Sequence, residues 1–218
     1  MIKGVDVSHW QGDLDFEKLR SQGYEFAIIK ATQGDYFVDP NLKQNVARCE
    51  AAGMAHGLYH FLDPCMDEWN QGNEQLAYFH EKTIGLHGQL PNALDCEWQE
   101  LLTNMQYTAL VLDFLQSAIL DWLLYANLNF LDNIIKRQDE IAEMADIWLA
   151  WWSGIEPCKM PKYYPASKVK VWQWDSSDGL DKNRVLDEVW YYSHVAPQIY
   201  ATIKVIVPPG ITVDVQYE

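Results

Sequence analysis

Short apolar segments and longer amphipathic segments alternate along this chain, and that alternation constrains the fold more than any other feature of the sequence. Eight segments are typical of β-strands: residues 2–10, 26–32, 56–62, 93–98, 122–126, 147–152, 169–174 and 185–191. Four stretches between the earlier strands are typical of helices: residues 15–22, 40–52, 68–83 and 106–120. Strands and helices in alternation indicate parallel βαβ units.

Eight strands with most helices early in the chain predict an α/β fold, a (β/α) barrel in which the later helices are short or missing. Gly23 and Gly53 follow two of the helical stretches, where a C-terminal cap is expected. The length of 218 residues, 49% of them apolar, suits one sizeable domain with a large core. In such barrels the reactive groups gather at the carboxyl ends of the strands.

The end of the chain predicts a short β-hairpin, so we expect a barrel domain over residues 1–192 and a tail over residues 193–218. Residues 211–217 alternate apolar and polar side chains, as a half-buried strand does. Residues 199–207 look like a second strand, with a Pro-Pro-Gly turn at 208–210 between the two. An isolated hairpin is marginally stable in water. The tail therefore either packs on the barrel or pairs with a second copy in a homo-oligomer.

Charge and cysteine spacing exclude several classes of partner. A net charge of −15 argues against nucleic acid, and no basic amphipathic or long apolar stretch indicates a membrane partner. Cys49, Cys65, Cys96 and Cys158 lack metal-site spacing, and the histidines form no ligand set, so we expect no metal and no cofactor. The thiols indicate a reducing compartment, with a Cys65–Cys158 bridge as the alternative. Without a secretory signal, we expect synthesis in the cytoplasm.

Two carboxylates stand one residue apart in the apolar run "ALDCEW" (93–98). In a strand, Asp95 and Glu97 project to the same side, roughly 6.6 Å apart. Close carboxylates in a low dielectric push their pKa values apart, so one can stay protonated while the other is charged. Cleavage of a glycosidic bond needs such a pair. The alternative is a half-exposed strand with two solvated acids.

Two further acids, Asp6 in the first predicted strand and Asp187 in the last, make the catalytic alternative stronger. The first and last strands of a closed barrel are neighbours, so both acids could join the 95/97 pair at one mouth. Because like charges repel, four converging acids make little sense as a stabilising device. For Asp6 alone, a hydrogen bond that closes the strand-end loop is the alternative.

Six motifs then resemble, in order and spacing, the strand motifs of glycoside hydrolase family 25, the Chalaropsis-type lysozymes found as phage endolysins and bacterial autolysins. They are "GVDVSHWQG" (4–12), "FAIIKATQG" (26–34), "GLYHF" (57–61), "ALDCEW" (93–98), "IWLAWW" (147–152) and "VWQW" (171–174). The resemblance covers about residues 2–192. It implies a flattened TIM-like (β/α)5(β)3 barrel, here with a short C-terminal β-hairpin, and N-acetylmuramidase activity on peptidoglycan.

The resemblance also implies roles for the acids. Glu97 matches the family's proton donor, and Asp95 matches the partner that orients the substrate's N-acetyl group and stabilises positive charge. Asp6 and Asp187 match the other two acids of the pocket. Whether the enzyme inverts or uses the substrate's N-acetyl group is left open.

Other matching positions imply a sugar-binding groove: Tyr59, Trp98, Trp152 and Gln173. For each aromatic residue, packing in the core is the alternative. Gln33 in "KATQG" departs from the family's Lys-Ala-Thr-Glu-Gly and loses a charge near the pocket rim.

The sequence therefore predicts a muramidase that hydrolyses the β-1,4 bond between N-acetylmuramic acid and N-acetylglucosamine in peptidoglycan glycan strands. Cytoplasmic synthesis and action on the cell wall fit a phage endolysin. The alternative is a non-catalytic or weakly active peptidoglycan-binding virion component on the same fold. An Asp-x-Glu chitinase-like enzyme is disfavoured by the acid in "GVDVSHWQG".

Overall fold

Parallel strands joined by helices close into a barrel in the computed structural model, which describes residues 1–64, 71–100, 102–152 and 158–196. The strands are β1 (Lys3–Val7), β2 (Tyr24–Gln33), β3 (Phe37–Val38), β4 (Ala55–Phe61), β5 (Asn92–Asp95), β6 (Trp122–Asn127), β7 (Ala145–Ala150), β8 (Val169–Asp175) and β9 (Asp181–Val185). The helices are α1 (Phe16–Ser21), α2 (Leu42–Ala51), α3 (Gly72–Lys82), α4 (Asn104–Ser117), α5 (Gln138–Met144) and α6 (Glu188–Val195).

The order of the strands confirms the predicted α/β barrel. It runs β1-β9-β8-β7-β6-β5-β4-β2-β3, and a further pairing of β1 with β2 closes eight strands, leaving β3 as a hairpin partner of β2. β9 runs antiparallel to both of its neighbours, whereas the other seven barrel strands are parallel. In the described part of the chain, α1 to α5 connect the barrel strands from β1 to β7, and only a 3₁₀ turn lies between β7 and β8.

The barrel has an apolar end and a polar end. Phe26, Ile28 and Tyr191 belong to an apolar cluster inside the barrel near the amino ends of the strands. Gly4 allows this packing, because a Cβ at position 4 would lie 2.3 Å from the Phe26 ring. Tyr191 of α6 packs on Phe26, with 5.8 Å between the ring centroids, so α6 covers this end. Polar side chains therefore gather at the opposite end, where the parallel strands finish.

The last predicted strand is wrong in position. The structure places β9 at Asp181–Val185 and starts a helix at Glu188, where a strand over 185–191 was expected. β9 lacks an apolar period because Asp181 lines the cavity and the buried Asn183 side chain donates to Asp6 at the polar end of the barrel. Asp187 caps α6 by accepting from the Trp190 N–H at 3.0 Å, a strong helix-start signal.

The predicted tail falls mostly outside the described residues. Helix α6 continues to Val195, past the expected end of the barrel at 192, and the predicted hairpin strands at 199–207 and 211–217 are not among the described residues. Cys49, Cys96 and Cys158 are buried free thiols. Cys65 lies outside the described residues. No helix of the described chain has the length and hydropathy needed to cross a membrane.

Candidate active site

A cavity of about 380 Å³ opens at the carboxyl ends of the barrel strands. Its acidic lining residues are Asp6, Asp95, Glu97 and Asp181. Its aromatic lining residues are Trp10, Tyr59, Phe61, Tyr125, Trp148 and Trp152. The remaining lining residues are polar or basic: Ser8, Lys30, Gln33 and Gln173. Four acids and several aromatic rings thus share one concave site.

Strand register brings the four acids together. Asp6 on β1 lies directly opposite Asp181 on β9, so their side chains point to the same side of the barrel. Asp95 ends β5, and Glu97 follows two residues later, after a Cys96 N–H that still donates to β6. Asp6 and Asp95 are 7% and 6% exposed, whereas Asp181 is half-buried and Glu97 is exposed at the rim. The predicted grouping of Asp6, Asp95 and Glu97 is the arrangement that the structure shows.

All four carboxyl groups hold their protons more tightly than ordinary acids do. Burial and the charge of Asp181 raise the pKa of Asp6 to about 7. Burial and neighbouring Glu97 raise the pKa of Asp95 well above its usual range, against the opposing effect of Lys30. Although Glu97 is an exposed residue at the rim, the surrounding protein partly removes its carboxyl group from water, and this desolvation raises its pKa. Burial likewise raises the pKa of Asp181. One of these acids can therefore carry a proton near neutral pH while another is ionised.

Asp6 is fixed by a buried amide network. The side-chain amides of Gln173 and Asn183 both donate to Asp6 Oδ2, at 2.8 and 2.7 Å. The Gln173 Oε1 atom accepts from the Tyr125 hydroxyl and from the Trp152 indole, each at 2.9 Å. Because two donors occupy its oxygen, the Gln173 amide can present only its NH₂ group to Asp6.

Four of the five predicted groove residues line the cavity, and the fifth does not. Tyr59, Trp152, Gln173 and Gln33 line the cavity, and Trp152 is 53% exposed there. Trp98 is 41% exposed but is not among the described residues that line the cavity. Its role in binding sugar stays a prediction.

Asp187 does not join the acids, contrary to expectation. It caps α6, and its Oδ2 atom pairs with Lys170 Nζ at 2.8 Å. These contacts lower its pKa, the opposite of the shift in the cavity. Asp181 occupies the place expected for Asp187. The error follows from the strand misplaced at 185–191, since the correct strand ends before residue 187.

Eight residues of the site were not predicted from the sequence: Ser8, Trp10, Lys30, Phe61, Tyr125, Trp148, Asp181 and Asn183. Asp181 and Asn183 carried a usable signal, because their i, i+2 spacing is that of the Asp95/Glu97 pair. The Trp148 indole donates to Asn183 Oδ1 at 2.7 Å, a contact over 35 positions that no local pattern reveals. Within the described residues, no group of His, Cys, Asp and Glu is arranged to hold a metal ion.

The raised pKa of Asp6 predicts an unusual dependence of stability on pH. A carboxyl group with a higher pKa in the folded state binds more protons when folded, so the free energy of unfolding falls as pH rises from about 4 to about 7. Asp6→Asn keeps an acceptor for both amides and removes the charge. We expect it to stabilise the fold by about 2 kcal/mol at pH 8. Urea unfolding between pH 4 and pH 8 measures this.

The control for this prediction is Glu143→Gln, at an exposed acid outside the cavity. That variant should keep the wild-type slope of stability against pH. An unchanged slope in Asp6→Asn would contradict the shifted pKa.

Comparison with known proteins finds relatives that match most of the barrel. Residues 5–182 match the model of the family described as Glycosyl hydrolases family 25. Lysozyme M1 of Streptomyces globisporus is 27% identical over 203 residues, which cover 84% of this chain and 67% of that protein. The N,O-diacetylmuramidase of Chalaropsis sp is 33% identical over 102 residues, 44% of this chain and 47% of that enzyme. The crystal structure of a lysozyme from Streptomyces coelicolor superposes with a TM-score of 0.73 at 25% identity, covering 85% of this chain and 92% of that one.

Proposed function

Because the chain belongs to glycosyl hydrolase family 25, and is thus a glycoside hydrolase, we propose that it is an N-acetylmuramidase. Its substrate would be the glycan strands of bacterial peptidoglycan, cut at the β-1,4 bond between N-acetylmuramic acid and N-acetylglucosamine. The observation that carries the proposal is the grouping of Asp95 and Glu97 with Asp6 and Asp181 in one cavity lined by aromatic rings. The relatives named lysozyme and muramidase support it.

Glu97 is the proposed general acid. It lies at the rim, where a polymeric substrate can reach it, and its raised pKa keeps the carboxyl group protonated at higher pH than an ordinary glutamate. It would give its proton to the glycosidic oxygen as the bond to the anomeric carbon breaks. The resulting carboxylate would then take a proton from the water that completes hydrolysis.

Asp95 is the proposed partner of the substrate's acetamido group. It is buried at the end of β5, and its Oδ1 atom has no hydrogen-bond partner among the described residues. An acceptor left open at the cavity can receive the acetamido N–H, which aims the acetyl oxygen at the anomeric carbon. The negative charge of Asp95 would stabilise the positive charge that develops there. Such participation is a known exception to the two-carboxylate mechanism.

Aromatic side chains are the proposed sugar platforms. Trp10 is 81% exposed and Trp152 53% exposed, although both line the cavity. Large exposed rings at a concave site are suited to stacking on the apolar faces of sugars. Tyr59 lies deeper, with its ring edge against Trp148.

The proposed role is lysis of the cell wall, as for a phage endolysin made in the cytoplasm of the infected cell.

Digestion of purified walls tests this function. We expect the protein to clear a suspension of purified sacculi and to release new reducing ends, and to leave colloidal chitin intact. Attack on chitin at a similar rate would favour a chitinase-like enzyme. Binding to sacculi without any new reducing ends would favour the alternative, a non-catalytic peptidoglycan-binding virion component.

A further inference from the structure

Lys30 is the only basic residue among the described residues that line the cavity. It projects from β2, and its side chain is 7% exposed. Burial lowers its pKa, and the nearby charges of Asp95, Asp39 and Glu97 oppose that effect. Burying an ammonium group costs desolvation free energy, so its place in the cavity points to a function there.

Aromatic rings and one amide hold the ammonium group. Lys30 Nζ lies 4.9 Å from the ring centroid of Phe61, 5.8 Å from that of Phe37 and 6.0 Å from that of Tyr59. Its hydrogen-bond acceptor is Gln33 Oε1, at 3.2 Å. No carboxylate of the described residues comes within 4.0 Å of Nζ, so the charge of Lys30 acts on the acids through space. Since one N–H group donates to Gln33, the ammonium group has two further N–H donors that a molecule in the cavity could use.

Asp63 fixes the direction of the Gln33 amide. The Gln33 NH₂ group donates to Asp63 Oδ2 at 3.3 Å, and the Tyr36 hydroxyl donates to the same oxygen. Asp63 is 7% exposed. Because the NH₂ group serves Asp63, the Gln33 oxygen must face Lys30. The family resemblance leads one to expect a glutamate at position 33. Its carboxylate would lie against that of Asp63, where the Gln33 NH₂ group now donates at 3.3 Å.

We propose that Lys30 is a positioning residue of the reaction, whose ammonium group, aimed by Gln33 and Asp63, opposes the effect of burial on both Asp95 and Glu97, so that Asp95 can carry its charge and Glu97 can release its proton. The proposal rests on the proposed function in its catalytic consequence. Its electrostatic part concerns this chain's side chains alone and can be measured without substrate.

The charged and titratable groups that face Lys30 determine how its removal changes the pKa values of the cavity acids. Asp95 and Glu97 face it from β5 and the segment that follows, Asp39 from the segment after β3, and Tyr59 from β4. His60 is also near, but burial lowers its pKa to about 4, so it is neutral above that pH. The positive charge of Lys30 lowers the pKa of both Asp95 and Glu97. Its removal must therefore raise both values.

Lys30→Met and Lys30→Arg form the first test. We expect Lys30→Met to move the pH profile of kcat, and the titration midpoints of both carboxyl groups, upward by about 1 pH unit. Lys30→Arg keeps the charge and should keep the midpoints. The midpoints are read by ¹³C NMR of the side-chain carboxyl groups, assigned with Asp95→Asn and Glu97→Gln. A purely structural role would lower activity without moving either readout.

Gln33→Glu and Asp63→Asn form the second test. Gln33→Glu alone should lower kcat/KM about tenfold, because the new carboxylate and Asp63 repel each other and the acceptor that aims Lys30 is displaced. In the double variant Gln33→Glu/Asp63→Asn, the carboxylate at position 33 can accept from Lys30 and from the amide at position 63. The repulsion between the two carboxylates is then removed. We expect it to recover to within about threefold of wild type, a strongly non-additive result.

The outcomes separate the two proposals. A wild-type protein that releases no reducing ends from sacculi overturns the muramidase proposal, while shifted midpoints in Lys30→Met would still support the electrostatic role. An active wild type whose midpoints and pH profile are the same in Lys30→Met overturns the role of Lys30. Additive effects of Gln33→Glu and Asp63→Asn would overturn the role of Asp63.

Discussion

Glu97→Gln is expected to lower the kcat for peptidoglycan hydrolysis by about 10³-fold. The amide has the shape of the acid but cannot give a proton to the leaving oxygen, and this side chain is the exposed acid of the pair. The fold should be unaffected, since replacing an acid with a raised pKa removes an unfavourable charge. Release of reducing ends from purified sacculi gives the rate, and circular dichroism shows whether the fold is kept.

The matched control is Glu100→Gln, which changes an exposed acid three residues further along the same segment. That variant should retain wild-type turnover. Wild-type turnover in Glu97→Gln, with Glu100→Gln active as well, would remove Glu97 from the mechanism.

The second large effect is expected on activity, and it distinguishes Asp181, which lines the cavity, from Asp187, which does not. Asp181→Asn should lower kcat/KM about 10²-fold, because a charge that faces Asp6 and raises the pKa of Glu97 is lost. The alkaline limb of the pH profile should move to lower pH, since Glu97 then loses its proton more easily. Steady-state rates on soluble peptidoglycan fragments from pH 4 to pH 8 measure both changes.

Asp187→Ala should show the opposite pattern. The helix cap at Trp190 and the ion pair with Lys170 are lost, so the free energy of unfolding should fall by about 1 kcal/mol while kcat/KM is kept. Urea unfolding measures the stability of both variants. An inactive Asp187→Ala that folds normally, beside an active Asp181→Asn, would restore the original expectation for the fourth acid.

The barrel could be predicted from sequence because its parallel strands are buried on both faces. Segments such as 26–29 and 147–150 are therefore continuous apolar runs, and amphipathic stretches between the early strands mark the helices. β9 could not be found in this way. Its residues are mostly polar because they face the cavity on one side and solvent on the other, so the apolar period that reveals a strand is missing.

The acids on apolar strands could be predicted, while the groups that tune them could not. Asp6 and Asp95 stand out because they interrupt apolar runs. The contacts of Gln173 and Asn183 with Asp6 span 167 and 177 positions and depend on the closure of the barrel. Lys30 likewise reads as an ordinary strand residue until the structure places it inside the mouth.

Mass analysis of the soluble products after complete digestion of purified sacculi identifies the bond that the protein cuts. After borohydride reduction, we expect muropeptides in which N-acetylmuramic acid has become the reduced, terminal sugar. Reduced N-acetylglucosamine at the new ends, or free peptides split from intact glycan strands, would contradict it.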